Sequence, residues 1–183
     1  MTFLILEGPN GAGKSTIAKA LKPHTHYCAG PPTADTAYGE WVEPLVKYAG
    51  MDINRLMVAD RWHIGEAVYP ALLKPPRPRL ATDLELGQIS RTLHAMIPNT
   101  IIVYVMPPPQ IMRERFEARG IHWQVELQQA EAAYGRYLEV ISDRLHANCQ
   151  YRILSSQDSV LEFIEAYRTN DEDATGEFVG GMF

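Results

Sequence analysis

Gly8-Pro9-Asn10-Gly11-Ala12-Gly13-Lys14-Ser15 satisfies the pattern G-x-x-x-x-G-K-[ST]. The apolar run Thr2 to Glu7 before it predicts a buried parallel strand. Ser15 to Leu21 after it predicts a helix, stopped by Pro23. A Gly-rich turn in that position lets the backbone curl with its N–H groups facing inward, while the helix N-terminus adds partial positive charge beneath them. Such a turn is a cradle for phosphates. On this reading Gly8, Asn10, Gly11, Ala12, Gly13, Lys14, Ser15 and Thr16 bind ATP. Lys14 reaches the β- and γ-phosphates, and the Ser15 hydroxyl ligates Mg2+ that arrives with the nucleotide. The loop alone names no reaction, because motors, GTPases and kinases share it. No Asn-Lys-x-Asp segment is present to select guanine, and large motor ATPases need more chain than 183 residues.

Outward from the loop, strands and helices alternate. Tyr27-Cys28-Ala29 reads as a short strand, Ala34 to Tyr48 as a helix and Leu56 to Ala59 as a buried strand ending at Asp60. Trp62 to Leu73 reads as helical, followed by a loop rich in proline (Pro75, Pro76, Pro78). Asp83 to Ile97 is a predicted helix and Thr100 to Val105 the most β-prone stretch. A charged helix follows at Gln110 to Arg119. Gln124 to Ala147 is predicted as a long helix with Leu127, Ala130, Tyr134, Tyr137, Ile141 and Leu145 on one face. Tyr151 to Leu154 and Ser159 to Arg168 close the pattern as strand and helix. The alternation predicts an α/β fold of the P-loop NTPase type, a five-stranded parallel sheet with helices on both faces and a helical lid at about 107–124. Residues 1–169 form one expected domain. Residues 170–183 are an acidic, Gly-rich tail, expected to be flexible although it ends in the apolar Phe178-Val179-Gly180-Gly181-Met182-Phe183.

Composition limits the setting. The net charge of −5 is concentrated at the end, where Asp171, Glu172, Asp173 and Glu177 meet no Lys or Arg, and the body is nearly balanced. A nucleic-acid partner is therefore not expected. The longest apolar run, Ile101 to Met106, is far too short to cross a bilayer. With no basic leader at the start and no disulfide framework from Cys28 and Cys149, the expected location is cytoplasmic. His24-x-His26 lacks supporting ligands and does not read as a zinc site.

Asp60-Arg61 stands where a strand runs out, which in a parallel sheet is the carboxyl edge beside the phosphate loop. Asp60 there can hold Mg2+ through water, and Arg61 can grip an acceptor phosphate with its planar fork. A surface ion pair is the plainer reading of the same two residues. Trp62, Tyr69 and Trp41 are candidates to stack on an acceptor base, with Tyr38 a further acceptor-binding candidate, although aromatics at helical spacing are more often core.

Glu7-Gly8 through Ser15-Thr16, taken with Asp60-Arg61-Trp62 and Ala67-Val68-Tyr69, resembles the thymidylate kinase family of nucleoside monophosphate kinases. Arg113-x-Arg115-x-x-x-Arg119-Gly120 resembles that family's lid, and the long helix after it bears Tyr134 and Tyr137. The similarity runs in order from residue 3 to about 168 and is greatest with the small enzymes of bacteriophages. It implies transfer of the γ-phosphoryl group of ATP to a (deoxy)nucleoside 5′-monophosphate, dTMP or another dNMP. Lys14, Asp60, Arg61, Arg115 and Arg119 would be the catalytic set, Arg61 binding the acceptor monophosphate and the lid arginines closing over the transferring group. A homodimer is implied by the same resemblance. The chain departs from the family after the second strand, where Cys28-Ala29-Gly30-Pro31-Pro32-Thr33-Ala34-Asp35 holds no basic residue. Two alternatives stand beside this reading: a deoxynucleoside kinase acting on a 5′-hydroxyl, and a non-catalytic nucleotide-binding module.

Overall fold

A computed structural model describes residues 2–23, 25–28, 41–43, 46–47, 55–73, 75–119, 123–143 and 149–172. Along the chain these form β1 (Thr2–Glu7), α1 (Lys14–Leu21), β2 (Thr25–Cys28), β3 (Leu56–Asp60), α2 (Gly65–Val68), α3 (Asp83–Met96), β4 (Thr100–Val105), α4 (Pro109–Glu117), α5 (Trp123–Ser142), β5 (Gln150–Leu154) and α6 (Gln157–Glu172). Every strand pairing is parallel, and the strand order is β2-β3-β1-β4-β5. β1 lies in the middle because all of Phe3 to Leu6 is apolar and can be covered on both sides; each of those residues has no exposed surface.

The alternation of side chains along the strands divides the interior into two cores. Phe3, Ile5, Met57, Ala59, Ile102 and Tyr104 face one side, where Leu86 and Leu93 of α3 and Ala133, Tyr137 and Val140 of α5 cover them. Leu4, Leu6, Val58, Val103 and Val105 face the other, against Ile17, Ala18 and Leu21 of α1 and Ile164 of α6. β5 is an edge strand and mostly exposed, with only Leu154 buried. A capping box starts α3: the Thr82 hydroxyl accepts from the Glu85 N–H, and the Glu85 carboxylate accepts from the Thr82 N–H.

The continuous helix expected over 62–73 is not there. One short turn, Gly65–Val68, is followed by a 3-10 turn at Pro70–Leu72. Pro70 has no N–H for the Glu66 carbonyl, so the α-helical ladder stops and the chain tightens to bonds such as Leu72 N–H to Tyr69 O at 2.8 Å. Of the helix expected at 34–48, residues 41–43 and 46–47 are helical and the others lie outside the described residues, as do 173–183 of the tail. Among the described residues no helix is long and apolar enough to cross a membrane.

Candidate active site

The register Leu6↔Asp60 between β1 and β3 brings the ends of the two strands together at the carboxyl edge of the sheet. The loop 8–13 leaves β1 there and turns into α1, whose first residue is preceded by Gly13 at φ 102° without a side-chain cap. The Lys14 side chain folds back over the loop: only 5% exposed, its ammonium donates to the Gly8 carbonyl at 3.0 Å and to the Pro9 carbonyl at 2.8 Å. Ser15 Oγ donates to Asp60 Oδ2 at 2.5 Å. Hydroxyl and carboxylate oxygens so placed are a hard-ligand set that suits Mg2+. Among the described residues no group of three or more His, Cys, Asp or Glu side chains could hold a metal by itself.

Arg61 has φ 71°, a conformation that costs a non-glycine residue energy and is held by its N–H bond to the Leu6 carbonyl at 2.9 Å. That twist turns the guanidinium back toward the loop. Arg61 Nη2 donates to Asn10 Oδ1 and, at 3.0 Å, to the Tyr69 hydroxyl, while the guanidinium lies 4.6 Å from the Tyr69 ring centre. Tyr69 in turn donates to the Gly8 carbonyl at 3.2 Å. Arg61 Nε is buried with no hydrogen-bond partner among the described residues.

Behind this arrangement sits Glu7, fully buried at the end of β1. It accepts from the Trp62 N–H and from the Tyr137 hydroxyl, each at 2.9 Å. Burial pushes its carboxyl up to about 7, although those two donors, Arg61 and Lys14 pull the other way. Burial likewise pushes the Tyr69 phenol up to about 12.

The structure brings Lys14, Ser15, Asp60, Arg61, Asn10 and Tyr69 into one cluster. Arg115 joins it from α4, donating to the Gly11 carbonyl at 3.0 Å and the Ala12 carbonyl at 2.7 Å. Arg119 lies on the surface with its guanidinium 5.1 Å from the Phe116 ring centre, and Arg113 pairs with Glu131 of α5 at 3.3 Å. Two stacking candidates lie in the core: Trp62 is 3% exposed and packs edge-on against Phe3, with ring centres 5.1 Å apart, and Trp41 is 5% exposed within the same core. Tyr38 lies outside the described residues. The roles of Glu7 and Tyr137 were not visible in the sequence. The available signals were a carboxylate ending an apolar strand and a tyrosine on a core-facing helical stripe, and they do not point to each other.

The sequence matches no protein-family model and no curated protein. Solved structures do match. The YorR protein of Bacillus subtilis, in complex with phosphorylated GDP, superposes with a TM-score of 0.64 at 22% identity, over 94% of this chain and 98% of that one. Polyphosphate kinase 2 of Arthrobacter aurescens matches at 0.68 and 12% identity, over all of this chain and 71% of that one. A deoxyadenosine kinase of M. mycoides with bound dCTP matches at 0.52 and 14% identity, over 92% of this chain and 100% of that one. The chain shares its fold with these proteins.

Proposed function

We propose that this chain transfers the γ-phosphoryl group of ATP to a nucleoside 5′-monophosphate, in the manner of a thymidylate kinase, with dTMP or another deoxynucleotide as acceptor. The observation that carries the reading is the position of Arg61. A strained backbone turns its fork onto Asn10 of the phosphate loop, with Nε still unpaired, so a fixed cation stands beside the place where the γ-phosphate would lie. A phosphate acceptor needs such a cation.

In the reaction an acceptor phosphate oxygen attacks the γ-phosphorus while the bond to the β,γ-bridging oxygen breaks. ADP leaves and the acceptor becomes a diphosphate. The attacking oxygen is already anionic, so no side chain has to remove a proton. A 5′-hydroxyl acceptor would need a base. Asp60, next to Cys28 across the β2–β3 register, already accepts from Ser15. That engagement supports the monophosphate reading over a nucleoside kinase.

The chain's own work is positioning and charge neutralisation. Lys14 exchanges the Gly8 and Pro9 carbonyls for the β- and γ-phosphates. Ser15 and Asp60 would hold Mg2+, which would supply charge that neutralises the nucleotide phosphates. Arg61 orients the acceptor phosphate, and Arg119 is the lid arginine for the developing charge.

The test is a coupled ADP-release assay with Mg·ATP against all natural nucleosides and their 5′-monophosphates, ribo and deoxy. Turnover with monophosphates and none with nucleosides is expected. Turnover with nucleosides alone would move the attack to the 5′-hydroxyl and make Asp60 the base, and silence on every acceptor would favour a binding module.

A further inference from the structure

The carbonyls of the phosphate loop are held from two sides. Lys14 takes those of Gly8 and Pro9, and Arg115, 104 and 103 residues away from its partners, takes those of Gly11 and Ala12 through a single nitrogen, Nη1. The rest of α4 is seated just as closely. A Cβ placed on Gly11 would lie 2.7 Å from the Phe116 ring, and one on Gly13 would lie 3.3 Å from Arg115 Nη1. Phe116 and Met112 have no exposed surface, and Phe116 packs with Leu127 and Ala130 of α5. α4 is therefore anchored on the body of the protein while it touches the loop, and Arg115 reaches the loop from a fixed base.

In a trans peptide the carbonyl and the N–H lie in one plane and point in opposite directions. Holding the Ala12 carbonyl toward α4 turns the Gly13 N–H away from α4. Holding the Gly11 carbonyl does the same for the Ala12 N–H, which donates to Pro9 O at 3.3 Å. Two consecutive peptide planes of the loop are thus oriented by one guanidinium. When nucleotide binds, Lys14 must leave its carbonyls for the phosphates, but nothing requires Arg115 to leave its own.

We propose that Arg115 is a positioning residue of the nucleotide site, which braces the Gly11 and Ala12 carbonyls so that the loop meets the phosphates already shaped, and is not a hand on the transferring phosphoryl group. The inference rests on the nucleotide-binding reading of the loop and is independent of the acceptor. It divides the arginines of α4 and its end: Arg115 serves the loop, and Arg119 is left for the lid.

The test is calorimetric titration of the full chain with Mg·ATP and with Mg·ADP, for the wild type, R115M and R115K. Steady-state turnover is measured beside it on whichever acceptor the panel identifies. R115M keeps the length of the side chain and loses every donor. It is expected to weaken ATP and ADP alike by about 10- to 100-fold, because charge-assisted bonds are lost and the loop is left unbraced. R115K, which can still donate to a carbonyl, is expected to recover part of that loss. Turnover of R115M at saturating ATP should fall by much less than its ATP affinity, the pattern of lost uniform binding. ATP and ADP affinities unchanged in R115M would overturn the proposal. So would a fall in saturated turnover with ATP affinity intact, since that marks a contact made only in the transition state. Should R115M lose its thermal transition, R115K against wild type carries the same comparison. Failure of the parent reading is separate and visible first, as a wild-type chain that binds neither nucleotide.

Discussion

Ser15 and Asp60, 45 positions apart, share a hydrogen bond of 2.5 Å across the carboxyl edge of the sheet. The hydroxyl comes from the first turn of α1 and the carboxylate from the last residue of β3, so the bond ties the start of α1 to the end of β3. Both are oxygen donors of the kind Mg2+ takes, and here each satisfies the other.

If that pair holds the metal, S15A and D60N should both raise the Mg2+ concentration needed for half-maximal turnover. They should lower kcat/KM by about 100-fold or more, in line with the loss of a group that stabilises transferring charge. A magnesium titration of turnover checks this. An unaltered magnesium requirement in D60N would remove Asp60 from the metal role.

Arg61 should separate the two substrates. Its guanidinium touches Asn10 and Tyr69, and the reading above gives it the acceptor phosphate. R61A is expected to raise KM for the monophosphate by at least about tenfold, the worth of one charge-assisted contact, while leaving ATP affinity within a few-fold. R61K should rescue only part, because an ammonium cannot make a forked contact. Equal losses for ATP and acceptor would show Arg61 to be part of the loop's scaffold instead.

Gly8 should tolerate no side chain. It has φ 141°, and a Cβ there would meet the Val105 carbonyl oxygen at 2.4 Å, a backbone atom of the central sheet that has nowhere to move. G8A should cost about 2 kcal/mol or more of unfolding free energy as well as nucleotide binding. Urea unfolding measures the first and titration with ADP the second; a variant as stable as the wild type would contradict the geometry.

Much of this was legible along the chain, and the reasons are local. The phosphate loop declares itself because its glycines, Lys14 and Ser15 are consecutive, and β1 and β4 because unbroken β-prone runs have few other uses. Asp60-Arg61 was placed at the sheet's edge by the buried strand before it. Misreadings arose where a tertiary partner decides. Pro70 halts the helix after Trp62, yet the apolar spacing of 62–73 reads smoothly through it. Trp62 has the composition of a stacking residue and the surroundings of a core residue, because Phe3 of β1 packs against it. Arg115 reads in the sequence as a lid arginine, and its hold on the Gly11 and Ala12 carbonyls is visible only once α4 is docked on the loop. Glu7 and Tyr137 are 130 positions apart, and no periodicity connects them.

The buried acid and a buried histidine should shape stability against pH in opposite senses. Glu7 has its carboxyl pushed from 4.5 up to about 7 by burial, so the folded chain holds a proton there that the unfolded chain has lost. Its contribution is fully present below pH 4.5 and is lost as pH rises to about 7, worth about 3 kcal/mol in all. His63, buried with Nε2 2.7 Å from the Ser90 hydroxyl, is pushed from 6.5 down to about 3. Its contribution is present above pH 6.5 and is lost as pH falls toward 3. Between 4.5 and 6.5 the two slopes, each about 1.4 kcal/mol per pH unit, oppose and nearly cancel. E7Q removes one of them while its amide oxygen can still accept from the Trp62 N–H. Urea unfolding from pH 4 to 8 should then show the E7Q curve rising relative to wild type by about 1.4 kcal/mol per unit across that window and levelling near 7. Subtracting the two curves cancels the other titrating groups, so parallel curves would mean that Glu7 titrates alike in the folded and unfolded chain, its hydrogen-bond donors, Arg61 and Lys14 having offset its burial.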